Sequence, residues 1–120
     1  MAIKRPGFRA LAKKCVHLAA KKKAKDILML DIRKLSTLSD YFIVCSAPSN
    51  IHVRTIAEFI KSELKKEKVY PLHTEGMAPA QWVLIDYGGV VVHVFYERTR
   101  QFYGLERLWS DAKKVELDTE

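Results

Sequence analysis

The sequence predicts a single α/β (α+β) domain in which a mixed β-sheet of about five strands is flanked by helices. Three observations predict it: an amphipathic helical pattern near the N-terminus, a strand–helix–strand succession in the middle, and a glycine-turned hairpin in the last third. The 120 residues leave room for one domain. A chain of this size buries roughly two-thirds of its unfolded surface, enough for a core without disulfide staples. With 48% hydrophobic and 29% charged residues the composition is that of a globular protein, not a disordered one.

The first helix is expected over 8–23. Phe8, Leu11, Ala12, Cys15, Leu18 and Ala19 recur at spacings of three and four, which puts them on one stripe, and lysines fill the rest of the circumference. Asp26-Ile-Leu-Met-Leu-Asp31 is a short apolar run bounded by charges and reads as a strand. Tyr41-Phe-Ile-Val-Cys45 reads as a second, ended by Ser46-Ala-Pro48. Ser49 or Asn50 then caps a helix, because a short side-chain oxygen satisfies the free backbone donors of its first turn. Val53, Ile56, Ala57, Ile60 and Leu64 form its buried face, and Lys65-Lys66-Glu67-Lys68 ends it. A third strand is expected over 69–73, which makes strand, helix and strand a parallel crossover.

The clearest local signal follows. Trp82-Val-Leu-Ile-Asp86 and Val90-Val-Val-His-Val-Phe95 flank Tyr87-Gly88-Gly89, a hairpin signature because glycine tolerates the positive φ of tight turns. Alternation sets Val90, Val92 and Val94 on one face and Val91, His93 and Phe95 on the other. Both faces are hydrophobic, so each is expected to be covered, by helices or by another protein. A helix over 97–103 and a packing or docking segment, Leu105-Glu-Arg-Leu-Trp109, come next. The domain is placed at 1–112, with a polar tail over 113–120 that is expected to fray.

The net charge of +7 is unevenly spread. Nine bases and no acid precede Asp26, whereas the remainder carries 12 bases against 14 acids, a net of −2. The basic N-terminal segment suits a polyanionic neighbourhood through salt-sensitive attraction, the alternative being a solvated helix face. Cys15 and Cys45 are too few for a disulfide framework and lie within apolar patterns, which predicts buried, reduced thiols in a cytoplasmic protein. No apolar run approaches the roughly 20 residues that span a bilayer, and the N-terminus has no secretory signal. Its acid-poor amphipathic character leaves organelle import as an alternative.

Catalytic patterns are not found. There is no phosphate-cradling glycine loop, no HExxH helix, and Asp86-Tyr-Gly-Gly lacks the ligand density of a calcium loop. Cys15 and His17 are two apart on a helix, where side chains do not share a face. Ser46-Ala-Pro-Ser-Asn, between a strand and a helix, resembles the corresponding turn of nucleotidyltransferases, but Ile51, His52, Val53 and Arg54 follow in place of the carboxylate pair that holds two metal ions there. His93, within a valine strand, reads either as a hydrogen-bonded sheet histidine or as a surface contact. The chain is expected not to be an enzyme and to need no cofactor or metal.

Several of these segments together resemble the ribosomal silencing factor (RsfS, iojap-like) family. They are Asp40-Tyr-Phe-Ile-Val-Cys-Ser46, Asn50-Ile-His-Val-Arg-Thr-Ile-Ala57, Glu75-Gly76, Trp82-Val-Leu-Ile-Asp-Tyr-Gly88, Val90-Val-Val-His-Val-Phe95 and Tyr103-Gly-Leu-Glu-Arg-Leu-Trp109, in family order over 8–112. Two positions depart from the pattern. Ala47-Pro48 replaces the usual glycine turn after the second strand, and Gly89 replaces an acid after the hairpin glycine.

The resemblance implies a nucleotidyltransferase-like sheet without the catalytic carboxylates, and no enzymatic activity. It implies docking on the fourteenth protein of the large ribosomal subunit, at the face that meets the small subunit, so that joining is blocked and translation repressed. Self-association of the free protein and contact with nearby ribosomal RNA are further implications. Trp82 and Tyr103 match aromatic contact positions of the family; Asp86, His93 and Arg100 are added by adjacency. Core packing is the alternative for Trp82 and Tyr103, and Trp109 is expected in the core. Lys21, Lys22 and Lys23 are the expected electrostatic contacts to RNA. The rival readings are a small RNA-binding or large-subunit assembly module, disfavoured as a free RNA reader by the absent RNP-like and GXXG signatures, and a divergent nucleotidyltransferase.

Overall fold

In the computed structural model, which describes residues 7–103 and 112–117 (only the backbone at 101–103), helix α1 (Phe8–Lys21) buries Leu11, Ala12, Cys15, Val16, Leu18 and Ala19. It stops short of the expected end. Lys23 adopts a left-handed φ of 62°, and the N–H groups of Lys23 and Ala24 donate back to the carbonyls of Ala20 and Ala19. That pair of bonds is a Schellman closure, formed here without the usual glycine.

Strands β1 (Lys25–Asp31) and β2 (Tyr41–Ala47) pair antiparallel, with Leu28 opposite Val44 and Asp31 opposite Tyr41. Helix α2 (Asn50–Lys66) is capped by Ser49, whose Oγ accepts the N–H of His52 at 3.1 Å. Its buried residues are the five that the apolar spacing singles out. Contacts of Lys14 with Glu67, and of Lys22 with Phe59, set α2 antiparallel to α1 on the same side of the sheet.

The third strand begins later than expected. Val69 donates its N–H to Leu64 in the closure of α2, with Lys68 at a φ of 64°, so the chain becomes a strand only at β3 (His73–Glu75). Strands β4 (Trp82–Asp86) and β5 (Val90–Tyr96) form the expected hairpin, and helix α3 (Glu97–Tyr103) follows. The tail does not simply fray: β6 (Lys113–Val115) pairs antiparallel with β1, Lys113 facing Asp31. A sixth strand thereby joins the sheet.

The sheet order is β3-β4-β5-β2-β1-β6. Only β2 and β5 are parallel neighbours, from Tyr41 opposite Val90 to Ala47 opposite Tyr96; the other neighbouring pairs are antiparallel. The expected crossover therefore exists in direction but not in adjacency. Strand β3 runs parallel to β2, yet the β4–β5 hairpin lies between them.

The two sheet faces differ. On one, α1 and α2 cover Ile43, Cys45, Val83, Ile85, Val90, Val92 and Val94 in the main core. On the other, a smaller cluster of Leu30, Ile32, Val44 and Phe95 is flanked by Leu28, Phe42 and Ala112. Among the described residues, no helix is long and apolar enough to cross a membrane.

Candidate functional site

The second face carries the candidate site, because strand alternation and register assemble it. Trp82, Leu84 and Asp86 of β4 lie opposite Phe95, His93 and Val91 of β5, and β2 brings Phe42 and Val44 alongside. Trp82 is 36% exposed, while Phe95 and His93 beside it are buried. An apolar ring left this open on a sheet face already lined by aromatic groups is the feature a protein partner would cover.

The orientation of Trp82 is fixed from several sides. Its ring lies 4.8 Å from that of Phe95, and its Nε1–H donates to His93 Nδ1 at 3.1 Å. The ring of His93 sits edge-on to Phe42 at 4.7 Å and stacks with Phe95 at 6.2 Å. Because an indole nitrogen only donates, Nδ1 of His93 is the acceptor, and the neutral ring carries its proton on Nε2. Burial disfavours the charged imidazolium and lowers the pKa of His93 to about 4, so the ring is neutral near pH 7.

The backbone before Trp82 is held as firmly. Asn50 Nδ2 donates to the carbonyls of Pro79 and Ala80, and Arg54 Nε and Nη2 donate to those of Met77 and Ala78. Gly76 starts this loop at a φ of 85°, and a β-carbon there would overlap the carbonyl of Trp82. Only glycine fits both constraints.

The other expected site residues are dispersed. Asp86 is half-buried, and its Oδ1 accepts the N–H of Gly88 at 2.7 Å, which caps the hairpin turn. Arg100 is buried: Nη1 donates to the Asp26 carbonyl at 3.0 Å and to Ser46 Oγ at 3.1 Å, pinning α3 to the ends of β1 and β2. The side chain of Tyr103 and the whole of 105–109, Trp109 included, lie outside the described residues. Lys21, Lys22 and Lys23 are at the end of α1, on the helical side of the sheet, where Lys22 Nζ lies 4.5 Å from the centre of the Phe59 ring. They stand beside α2, not on the aromatic face: the Lys22 carbonyl also meets His52 Nε2 at 2.5 Å. The structure thus brings Trp82 and His93 together, places Asp86 at the hairpin end of the same face, and sets the lysines behind it.

Phe42, Leu84 and Phe95 complete the face, of which the sequence had set only Phe95 beside His93 and none as a contact. Phe95 and Leu84 follow from hairpin alternation. Phe42 depends on the register of β2 against β5, which joins residues about fifty positions apart.

Elsewhere the chemistry is subdued. Burial pushes the thiols of Cys15 and Cys45 up to about 12, which keeps them protonated and unreactive. Among the described residues no group of three or more His, Cys, Asp or Glu could hold a metal ion. A surface depression of about 450 Å³ is lined by Asp31, Arg33, Lys34, Leu35 and Lys113. Its Arg33 is bidentate on Asp31, with contacts of 3.0 and 2.7 Å, which holds the Asp31 carboxyl down at about 2.

Comparison with known proteins is consistent along the chain. Residues 6–120 match the family model described as ribosomal silencing factor during starvation, RsfS. The ribosomal silencing factor RsfS of Bacillus subtilis is 43% identical over 97 residues, covering 81% of this chain and 82% of that protein. The crystal structure of a Chromobacterium violaceum protein superposes with a TM-score of 0.84 at 32% identity, covering 96% of this chain and 95% of the other. A mouse protein named for mitochondrial assembly of the ribosomal large subunit is 28% identical over 98 residues, 79% of this chain and 43% of its own length.

Proposed function

Since the chain belongs to the ribosomal silencing factor family, whose role is ribosome-associated regulation of translation, we propose that it acts by docking Trp82 and its sheet face on the large ribosomal subunit. The receiving surface in this reading is the fourteenth protein of that subunit, at the face that meets the small subunit. The protein body then obstructs joining and lowers translation. No catalytic step is involved.

The observation that carries this reading is the Trp82 ring, 36% exposed beside the buried Phe95 and His93. A docking patch of ordinary size covers roughly 800 Å² per partner, within the reach of one sheet face. Tryptophan is among the residues that dominate such patches when a rigid surround keeps water from them. The occlusion needs only bulk. With extents of 46 × 32 × 29 Å, the protein is too thick to be accommodated between two surfaces that must close on each other.

The lysines of α1 play a different part. Being on the far side of the sheet, Lys21, Lys22 and Lys23 act at range: they attract the protein to ribosomal RNA phosphates without reading sequence. Arg100 supports the face from inside by anchoring α3, and Asp86 fixes the turn at its edge. In the free protein the same apolar face is available for self-association, which ribosome docking would displace.

A second reading, service in large-subunit assembly, is favoured by the name of the mouse relative. It uses the same docked state and differs in which particles are bound. Light scattering of purified subunits tests the proposal: added protein should slow and reduce joining when premixed with large subunits. Unchanged joining, together with binding to large-subunit precursors, would favour the assembly reading.

A further inference from the structure

We infer that His93 is a positioning residue for docking: its Nδ1 holds the Trp82 indole in the orientation that enters the partner, and the site receiving that indole is an apolar socket on a protein. This deepens the docking reading above and rests on it.

The geometry separates two roles that the sequence merges. His93 is only 4% exposed, so it contributes almost no contact surface. Trp82 is nine times as exposed at 36%, but its polar atom is directed inward, 3.1 Å from His93 Nδ1. What Trp82 offers outward is the hydrocarbon part of the ring. A partner acceptor would have to compete with a bond already formed, whereas an apolar pocket would gain the ring area without disturbing it.

The partner's chemical class follows from the surroundings. Glu75 and Asp86 share this face, since register sets Glu75 opposite Leu84 and Asp86 opposite Val91. Beside Trp82 the charges are the Asp86 carboxylate, which repels a phosphate backbone, and the His73–Glu75 pair; Lys114 of β6 stands at the opposite edge of this face, and the lysines that end α1 lie behind the sheet. Stacking of Trp82 on an RNA base is thereby disfavoured against insertion into a protein pocket. The hydrogen bond also serves affinity: an indole free to rotate about its side-chain torsions loses more freedom on docking than one already held.

Two substitutions separate positioning from packing. His93→Asn places an amide oxygen near the position of Nδ1 and can accept the indole N–H. His93→Leu is of similar size but accepts nothing. If the role is positioning, His93→Leu weakens binding to purified large subunits at least tenfold, while His93→Asn stays within about threefold of the parent. Stability runs the other way, because leucine suits a buried site better than asparagine. A packing role would make binding follow stability.

A second readout does not involve the ribosome. In a Trp109→Phe background Trp82 is the single tryptophan, and its fluorescence anisotropy decay reports the freedom of the indole. His93→Leu should add a fast component that His93→Asn lacks. Wild-type binding by His93→Leu, or Asn no better than Leu in both measurements, overturns the inference. Wild-type binding by Trp82→Ala would instead overturn the docking reading, and the anisotropy order would then decide positioning by itself. Preference for naked RNA over the isolated ribosomal protein would overturn the apolar socket.

Discussion

The ring of Phe8, at the start of α1, lies against the backbone of Gly89 so closely that a β-carbon on Gly89 would overlap three of its ring carbons. Gly89 in turn accepts the N–H groups of Asp40 and Tyr41, both at 2.9 Å, so the backbone beneath the ring is tied to the start of β2. The space that a side chain at position 89 would take is therefore occupied by an aromatic ring from another element.

Gly89→Asp should destabilise the protein by about 1–2 kcal/mol, because Phe8, 41% exposed, must swing away into water. In a Phe8→Ala background the same substitution should cost little. Denaturant unfolding of the two single variants and the double variant gives the coupling, expected at about 1 kcal/mol. Additive effects would show that the ring and the glycine do not depend on each other.

Stability should fall with pH in a window set by His93. Histidine ordinarily titrates at 6.5, and burial lowers His93 to about 4. Between these values the unfolded chain holds a proton that the native one does not, so stability is full above 6.5 and is lost as pH falls toward 4, by roughly 3 kcal/mol at most. Asp31 acts with the same sign in a lower window, its contribution being kept above 3.8 and lost toward 2. Thermal melts of His93→Leu should be flatter than those of the parent between pH 6.5 and 4. A parallel slope would assign the effect to other groups.

Lys68→Gly should stabilise the protein by about 1 kcal/mol. Lys68 closes α2 at a φ of 64°, a conformation that costs an L-residue about that much and glycine almost nothing. The side chain is exposed and forms no part of the aromatic face. Chemical denaturation should show a raised midpoint with ribosome binding unchanged. A lowered midpoint would mean that the lysine side chain contributes more than its backbone costs.

Replacing Lys21, Lys22 and Lys23 with alanine should weaken large-subunit binding more at low salt than at high salt, with a shallower dependence on salt concentration. Affinity unaltered across the salt series would reduce these lysines to solubilising charges.

Local pattern carried much of the fold. The α1 stripe, the Ser49 cap, the five buried residues of α2 and the hairpin about Gly88 and Gly89 each depend on neighbours within a few positions. What was not legible depends on distant ones. Strand β6 exists because Lys113–Val115 finds the open edge of β1, although two of its three residues are lysines. Strand β3 is displaced because the closure of α2 takes Val69. The candidate site divides in the same way. Trp82 and His93 were each legible as candidate contacts, but their shared face depends on the register of β4 against β5, and the direction of the indole N–H, which assigns them different roles, is a matter of side-chain torsions. Arg100 gave no sign of being buried, since Asp26 and Ser46 are far from it in the chain.

The most direct test of the account is sucrose-gradient co-sedimentation of the parent and Trp82→Ala with purified large subunits. The parent should travel with large subunits and not with joined ribosomes. Trp82→Ala should remain folded and lose at least about 2 kcal/mol of binding, roughly thirtyfold. A folded Trp82→Ala variant that co-sediments as well as the parent would contradict docking through this face.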